Sequence, residues 1–305
     1  MNARPEGTVA AGRRRRVSIL RTIVVAVLLL VTACVATAVG LLRFELDRLL
    51  FPRTSPPAAS SALTEAFRLP GRDGAAMIVR RFDRELAGPG HGCVVWFPGH
   101  LGGVDRYARE LFPDFEKAGL VVYAVAYPGQ DGAPGPARLD DVQAAAATAV
   151  ASVAARCGRD ETVVAGRSLG AMVAAYAAGS APSAGLVLES ASPSLSAGIR
   201  GALREHLLLQ PLASLPIERI VPHDFSLAEA LPSGLHVVVF QGSADTRTPL
   251  ADLRGEAGNA ERMAIVEVAG GTHADTLLRA RTAMISAMLG MIRGSEEATA
   301  AGEDH

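Results

Sequence analysis

Lysine is almost absent from this chain of 305 residues: Lys117 is the single lysine, and all other cationic side chains apart from histidine are arginines. Charged residues make up only 20% of the chain and aromatic residues 5%, and the formal net charge is −1 at pH 7. Nucleic-acid-binding domains need a basic surface and often use aromatic rings to stack on bases. The composition therefore gives no reason to expect nucleic-acid binding.

Cofactor and metal motifs are missing as well. No strand-like run is followed by G-x-G-x-x-G, the pattern that places a pyrophosphate at a helix N-terminus. The seven histidines are scattered, and none lies in a cluster with Cys or Asp at the spacing of metal ligands. We therefore expect neither a cofactor nor a metal ion.

The N-terminal region carries an uncharged run long enough to cross a bilayer. Residues 22–42 contain no charge and match the ~20 apolar residues that a membrane-spanning helix needs. Arg13–Arg16 and Arg21 precede this run, and flanking arginines favour retention of the N-terminus in the cytoplasm. The pattern predicts a signal anchor, with residues 1–21 in the cytoplasm, residues 22–42 in the cell membrane and the residues after them outside.

Two other interpretations of this segment stay open. Val31–Cys34 resembles a bacterial lipobox, which would make the protein a lipoprotein attached through Cys34. Ala36–Ala38 resembles a signal-peptidase site, at which cleavage would release a secreted protein. The apolar run continues to Leu42, which favours the uncleaved anchor over both.

A G-x-S-x-G pentapeptide, Gly166–Gly170, lies between a strand-like run and an alanine-rich helix-forming run. In this setting the serine lies on a tight strand-to-helix turn, and the flanking glycines leave room for the close backbone approach. The turn exposes the Ser168 hydroxyl and directs the N–H groups of the new helix toward it. The pattern predicts that Ser168 is a catalytic nucleophile.

An acid and a histidine follow in loops after two later apolar runs. Asp245 comes after the run at 235–240, and His273 comes after the run at 263–268. A serine hydroxyl becomes a good nucleophile when an imidazole accepts its proton, and a carboxylate orients that imidazole. We therefore predict a triad of Ser168, Asp245 and His273.

Three other acids could compete with Asp245. Asp252 falls in a helix-forming stretch and is expected on a solvated face. Glu189 ends an apolar strand and is a candidate for a structural or supporting role, while Asp275 is too close in sequence to His273 to orient it. These positions favour Asp245 as the acid of the triad.

These motifs resemble those of the α/β-hydrolases, and more narrowly those of the membrane-anchored serine hydrolases of the Bem46 and ABHD13/ABHD17-like group. The resemblance covers the chain from about Val94 to Leu289. It is carried by six segments: Trp96–Gly103, Ala126–Gly135, Gly166–Gly170, Leu188–Pro193, the Asp245 loop and the His273 loop. It implies an α/β fold with a mostly parallel central sheet, helices on both faces and a small cap insert.

The resemblance also implies an oxyanion hole of two backbone N–H groups. One belongs to Leu169, and the other to His100, or to Leu101 if the glycine-rich turn is shifted. The family usually has His-Gly where this chain has Pro98-Gly99. We expect the His100 side chain to be solvated rather than catalytic. Arg167 is expected at the mouth of the site, either holding an acidic substrate group or forming a surface salt bridge.

Cys93 and Cys157 precede two strands that are neighbours in this fold, and both lie near the strand ends opposite the site. Their Cα atoms could therefore come within the ~4.4–6.8 Å that a disulfide requires. An exported domain meets oxidising conditions, which permit the bond. The alternative is a pair of buried free thiols.

The domain organisation follows from these motifs. We expect a transmembrane helix at 22–42, a proline-rich spacer at 43–61, a hydrolase domain at 62–293 with a cap insert at about 192–232, and a disordered tail at 294–305. The expected function is hydrolysis of an ester, thioester or amide in a small-molecule or lipid acyl substrate. A prolyl-oligopeptidase-like peptidase and a catalytically silent membrane-tethered binding domain are the alternatives.

Overall fold

The apolar runs of the sequence form the strands of one eight-stranded sheet. In the computed structural model, which describes the backbone of residues 6–55, 64–86, 90–231, 233–257 and 263–303, its strand order is β1-β2-β4-β3-β5-β6-β7-β8. The strands are β1 Thr64–Pro70, β2 Ala76–Phe82, β3 Gly92–Phe97, β4 Leu120–Ala126, β5 Thr162–Arg167, β6 Gly185–Glu189, β7 Val237–Gly242 and β8 Met263–Val268. The first two form an antiparallel hairpin, β2 pairs antiparallel with β4, and all later pairings are parallel.

Helices cover both faces of this sheet, as an α/β sequence with buried strands requires. The N-terminal helix is α1 Glu6–Phe44, and the helices of the unit that contains the sheet are α2 Leu46–Leu50, α3 Val104–Glu110, α4 Phe112–Lys117, α5 Leu139–Cys157, α6 Leu169–Ser180, α7 Leu195–Arg204, α8 Ile217–Ile220, α9 Leu227–Ala230, α10 Leu250–Ala257 and α11 Thr276–Glu303. Successive side chains of β3 enter opposite cores: Val95 packs on the side of α5 and α6, and Trp96 packs on the side of α3, α4 and α11. The α/β layering predicted from the sequence is confirmed.

The N-terminal helix α1 forms a compact unit of its own that ends at Glu45. Its portion Ser18–Phe44 has 27 residues, and the most apolar 18-residue window in it has a mean hydropathy of 2.7 and no buried part. At 1.5 Å per residue this portion is ~40 Å long, enough to cross the ~30 Å hydrocarbon core of a bilayer. It includes the predicted span at 22–42 and continues into residues on both sides of it.

The predicted spacer at 43–61 differs from the structure where the structure describes it. The second compact unit begins at Leu46, and α2 lies within it. Leu46, Leu50 and Phe51 are buried in the core on the α5 side of the sheet. These apolar side chains bury because Leu46 and Leu50 are four residues apart on one face of a helix. The prolines at 56 and 57 lie outside the described residues.

The tail predicted to be disordered at 294–305 is helical as far as Glu303, and residues 304–305 lie outside the described residues. Helix α11 runs through Gly294 and continues to Glu303. Alanine and glutamate dominate the segment that follows Gly294, and both are strong helix formers. A single glycine costs about 1 kcal/mol in a helix, which does not end one that is already nucleated.

A cap lies between β6 and β7, where the sequence predicts an insert at about 192–232. It consists of α7, a 3₁₀ turn at Gln210–Ser214, α8 and α9.

Cys93 at the start of β3 forms a disulfide with Cys157 at the end of α5, with Cα atoms 6.2 Å apart. The bond ties a central strand to the helix that precedes β5.

Candidate active site

Ser168 lies on a strained turn between β5 and α6. Its backbone has φ 53° and ψ −119°, a conformation that residues with a side chain rarely adopt. The turn is held by two backbone hydrogen bonds: the Ser168 N–H donates to the Glu189 carbonyl at 2.9 Å, and the Ala171 N–H donates to the Ser168 carbonyl at 2.9 Å. Strain of this kind is found at functional sites, where the surrounding structure stabilises it.

The two glycines that flank Ser168 sit where no side chain fits. A Cβ atom on Gly166 would lie 2.6 Å from the carbonyl carbon of Gly170. A Cβ atom on Gly170 would lie 2.7 Å from the carbonyl carbon of Phe97, at the end of β3. The turn therefore requires glycine at both positions, for the steric reason that the sequence pattern suggests.

The structure brings Ser168, His273 and Asp245 into one hydrogen-bonded chain. His273 Nε2 lies 3.1 Å from Ser168 Oγ, and His273 Nδ1 lies 2.9 Å from Asp245 Oδ2. An ionised carboxylate can only accept, so the Nδ1 atom carries a proton and donates it to Asp245. The Nε2 atom is then free to accept a hydrogen bond from the serine hydroxyl.

Asp245 is held by donors from its own turn. Its carboxylate accepts hydrogen bonds from the Thr248 N–H at 2.9 Å, the Thr248 hydroxyl at 2.8 Å and the Arg247 N–H at 3.0 Å. Burial acts to raise the pKa of this carboxyl, but hydrogen bonding to His273 and Thr248 outweighs burial, and the pKa of Asp245 lies below its usual value. Sequence reasoning missed Thr248, since a threonine in a turn carries no signal of this contact.

The three competing acids have other partners or positions. Glu189 is fully buried and pairs with Arg167, whose Nε atom lies 3.0 Å from Glu189 Oε2. The Asp275 carboxylate accepts hydrogen bonds from the N–H and the hydroxyl of Thr272, both at 2.7 Å, and forms an ion pair with Arg279. Asp252 is exposed on α10. Among these acids and Asp245, it is Asp245 that hydrogen bonds to His273.

Arg167 forms its salt bridge in a buried position, and not at the surface or with a substrate group. Besides pairing with Glu189, its guanidinium donates a hydrogen bond to the backbone carbonyl of His273. Burial raises the pKa of Glu189, while the neighbouring Arg167 lowers it. The contacts of Arg167 join the ends of β5 and β6 to the backbone of the His273 loop, and removing Arg167 alone would leave the buried Glu189 carboxyl without its partner.

The Gly99–Gly103 loop follows β3 and faces Ser168. The Gly102 N–H donates to the Gly99 carbonyl at 2.9 Å, and both Gly102 and Gly103 have positive φ, 62° and 87°. Within the described residues the N–H groups of His100, Leu101 and Leu169 have no hydrogen-bond acceptor. Free backbone donors beside a nucleophile are what an oxyanion hole requires.

The His100 side chain is half-buried in the wall of this loop and does not bond to Ser168. Burial lowers its pKa, and the nearby Arg247 and His273 lower it further. His100 therefore contributes a neutral imidazole to the cleft. Its position differs from the solvated side chain that the sequence suggested.

These groups line a cleft of ≈ 560 Å³. Its walls are formed by Gly99, His100, Leu101, Gly102, Gly103, Arg106, Tyr107, Arg167, Ser168, Glu205, Ala244, Thr246, Arg247, Thr272, His273 and Ala274. Across the residues whose placement is described, no group of three or more His, Cys, Asp or Glu side chains could hold a metal ion.

A family model described as serine aminopeptidase, S33, matches residues 88–230, a little under half of the chain. A search of curated protein sequences finds no significant match.

Solved structures match over most of the chain. An esterase from Pyrococcus furiosus matches with a TM-score of 0.58 and 13% identity, over 80% of this chain and 98% of that chain. An esterase from Thermogutta terrifontis has a TM-score of 0.53 and 17% identity, over 73% of this chain and 87% of its own. A monoacylglycerol lipase from Paleococcus ferrophilus has a TM-score of 0.50 and 16% identity, over 70% and 99%. The chain has the α/β-hydrolase fold.

Proposed function

We propose that this protein is a serine hydrolase that cleaves carboxylic esters through an acyl-enzyme on Ser168. The observation that carries the proposal is the chain of hydrogen bonds from Ser168 Oγ to His273 Nε2 and from His273 Nδ1 to Asp245 Oδ2, at 3.1 and 2.9 Å. The strained Ser168 turn and the free N–H groups beside it support the same chemistry.

The proposed reaction uses each of these groups in turn. His273 Nε2 accepts the Ser168 proton as Oγ attacks the ester carbonyl, and the N–H groups of Leu169 and His100 stabilise the oxyanion. His273 then donates its proton to the leaving alcohol, which leaves an acyl group on Ser168. A water molecule, deprotonated by His273, releases the acid and restores the serine. Asp245 keeps the imidazole oriented and stabilises its protonated form throughout.

The charges of the cleft favour an ester over the free amino terminus of a peptide. Three arginines line it, Arg106, Arg167 and Arg247, but among the described lining residues there is one carboxylate, Glu205, which pairs with Arg247. Arg106 and Arg167 also have carboxylate partners, Glu110 and Glu189. An aminopeptidase must stabilise a substrate ammonium group, and the described lining offers it no carboxylate that is free of an arginine. An uncharged acyl ester, small or lipid-derived, fits these charges better.

We further propose that the protein is anchored in the cell membrane by a single span and that its hydrolase domain lies outside. The apolar length of Ser18–Phe44 and the arginines before it support this orientation. The disulfide between Cys93 and Cys157 also supports it, because such bonds persist in oxidising compartments. Attachment as a lipoprotein through Cys34, or cleavage near Ala38, remains the alternative.

Labelling with a fluorophosphonate probe tests the activity on the full chain in detergent. We expect wild type to be labelled and to hydrolyse p-nitrophenyl butyrate, and we expect Ser168→Ala to do neither. His273→Ala should lose turnover by about 10⁴-fold, because members of a triad act as a unit.

Three outcomes would contradict the proposal. An unlabelled wild type would indicate a silent binding domain. Faster cleavage of leucine p-nitroanilide than of the ester would indicate a peptidase. Loss of activity in His100→Ala together with its retention in His273→Ala would show that the base is assigned to the wrong histidine.

A further inference from the structure

The loop that follows β4 lies between the active-site loop and the segment that precedes the hairpin. Its residue Gln130 is fully buried, and its side-chain Nε2 atom donates to two backbone carbonyls: that of Pro52 at 3.0 Å and that of His100 at 2.6 Å. Because both acceptors are carbonyl oxygens, the amide nitrogen must face both of them. Its two N–H bonds are therefore used completely, one on each segment.

The next residue, Asp131, repeats this arrangement. Its backbone N–H donates to the Thr54 hydroxyl at 3.0 Å, and the Thr54 N–H donates to the Gly129 carbonyl at 3.1 Å. On the other side, the Asp131 carboxylate accepts from the Gly103 N–H at 3.0 Å and from the Val104 N–H at 3.4 Å. Two consecutive residues thus join the active-site loop to the segment Pro52–Thr54, which we call the strap.

These contacts determine where the free N–H groups of the Gly99–Gly103 loop point. In a planar trans peptide the C=O and N–H bonds point in opposite directions. Because the His100 carbonyl is held toward Gln130, the Leu101 N–H points away from Gln130. The Gly99 carbonyl is held by Gly102 in the same way, which orients the His100 N–H. Both orientations depend on the turn Gly99–Gly102, in which the Gln130 side chain holds the carbonyl of His100.

Gly102 of the active-site loop lies against the side chains of Gln130 and Asp131. A Cβ atom at this position would lie 2.6 Å from a carboxylate oxygen of Asp131 and 2.8 Å from the side-chain oxygen of Gln130. The loop can therefore approach these two residues only with glycine at this position. A shift of Gln130 or Asp131 would move the loop directly, with no intervening side chain to absorb the change.

We propose that Gln130 is a positioning residue for oxyanion stabilisation, and that the strap Pro52–Thr54 supports it. The strap follows the candidate membrane span closely in sequence, so the chain next to the anchor becomes part of the support of the active site. This inference rests on the proposed hydrolase function. It predicts that a change in the strap, which does not touch the cleft, alters turnover without altering substrate binding.

The first test compares Gln130→Met with Gln143→Met in the full chain. Methionine is close to glutamine in length but cannot donate a hydrogen bond, and Gln143 is a half-buried residue of α5 that offers the same chemical change elsewhere. Active sites are titrated with the fluorophosphonate probe, so that kcat refers to folded enzyme alone. We expect Gln130→Met to lower kcat by about tenfold or more with KM within about twofold, and Gln143→Met to match wild type.

An inhibitor that forms an oxyanion on Ser168 separates positioning from a merely structural role. A trifluoromethyl ketone adds to the serine and places a negative oxygen in the oxyanion hole. Its affinity for Gln130→Met should fall by the same factor as kcat/KM. If kcat per titrated site and the inhibitor affinity both equal those of wild type, the positioning role is refuted.

The second test addresses the strap with a change milder than that at Gln130. Thr54→Val removes the acceptor of the Asp131 N–H while keeping the shape, and Thr54→Ser retains the hydroxyl. We expect Thr54→Val to lower kcat several-fold, and we expect the kcat of Thr54→Ser to stay close to that of wild type. Equal kcat in both variants refutes the role of the strap.

These results are distinguishable from failure of the proposed function. If wild type is unlabelled by the probe and inactive on esters, the proposed function itself fails. If wild type is labelled and active while Gln130→Met and Thr54→Val are unchanged, the function stands and this inference is wrong.

Discussion

Replacing Gly170 by alanine adds one methyl group at the closest backbone approach around Ser168. The new Cβ atom would lie 2.7 Å from the carbonyl carbon of Phe97, whereas carbon atoms in ordinary contact are about 3.5–4.0 Å apart. Because the contact is with backbone at the end of a central strand, a side-chain rotation cannot relieve it. The first turn of α6 must move away from β3 by roughly 1 Å.

That movement separates the two halves of the site. The N–H of Leu169 moves with α6, while the N–H of His100 stays with the loop after β3. A misplacement of about 1 Å can lower turnover by about 100-fold, so we expect kcat to fall by that order. Overpacking should cost about 1–3 kcal/mol of stability, and the better helix propensity of alanine offsets about 1 kcal/mol of it.

Esterase kinetics per titrated site and thermal unfolding measure both effects, with Gly290→Ala as the matched control. Gly290 is exposed on α11 and an added Cβ would meet no atom within 4 Å. That variant should keep wild-type kcat and gain up to about 1 kcal/mol. Wild-type kcat in Gly170→Ala would refute the reasoning, because it would show that the site tolerates separation of α6 from β3.

Three other results are expected. Because the pKa of Asp245 is lowered in the folded protein, its ionised form contributes stability above the usual carboxyl pKa, and this contribution is lost as pH falls through the lowered pKa. Urea denaturation should show the stability gap between wild type and Asp245→Asn constant above about pH 5 and shrinking below it, and a gap that stays constant below about pH 5 would contradict this. Replacing Cys93 and Cys157 together by serine should lower the unfolding free energy by about 2–4 kcal/mol with unchanged kcat, and alkylation of both thiols in the native exported protein would show that no bond forms. A reporter that functions only outside the cytoplasm, fused after Leu289, should be active, and the protein should keep its intact N-terminus; palmitate labelling at Cys34 would establish the lipoprotein instead.

Much of the fold could be predicted because buried strands of a parallel sheet are continuous apolar runs bounded by turns. The strands at 120–126 and 185–189 have in the structure the bounds that their apolar runs suggest. The segment at 46–55 shows the opposite case. Its proline and charges resemble a spacer, and only the long-range contacts of Leu46, Leu50 and Phe51 place it in the core.

The sequence by itself indicated Ser168 and His273 and favoured Asp245 among the acids, because a local pattern shows which residues lie in the loops after strands. Tertiary structure decided which acid orients the histidine. Glu189 ends one buried strand and Asp245 follows another, and their neighbours in space, Arg167 for one and His273 for the other, distinguish them.

The supporting groups were decided by tertiary structure alone. Thr248 and Gln130 carry no motif, because a hydrogen bond between segments that are far apart along the chain leaves no periodicity in either of them. Gln130 lies 30 residues from the loop that it holds and 78 from the strap. Local patterns report which side chains face a core or a turn, but the pairing of a donor with an acceptor is set only when the folded chain brings the two together.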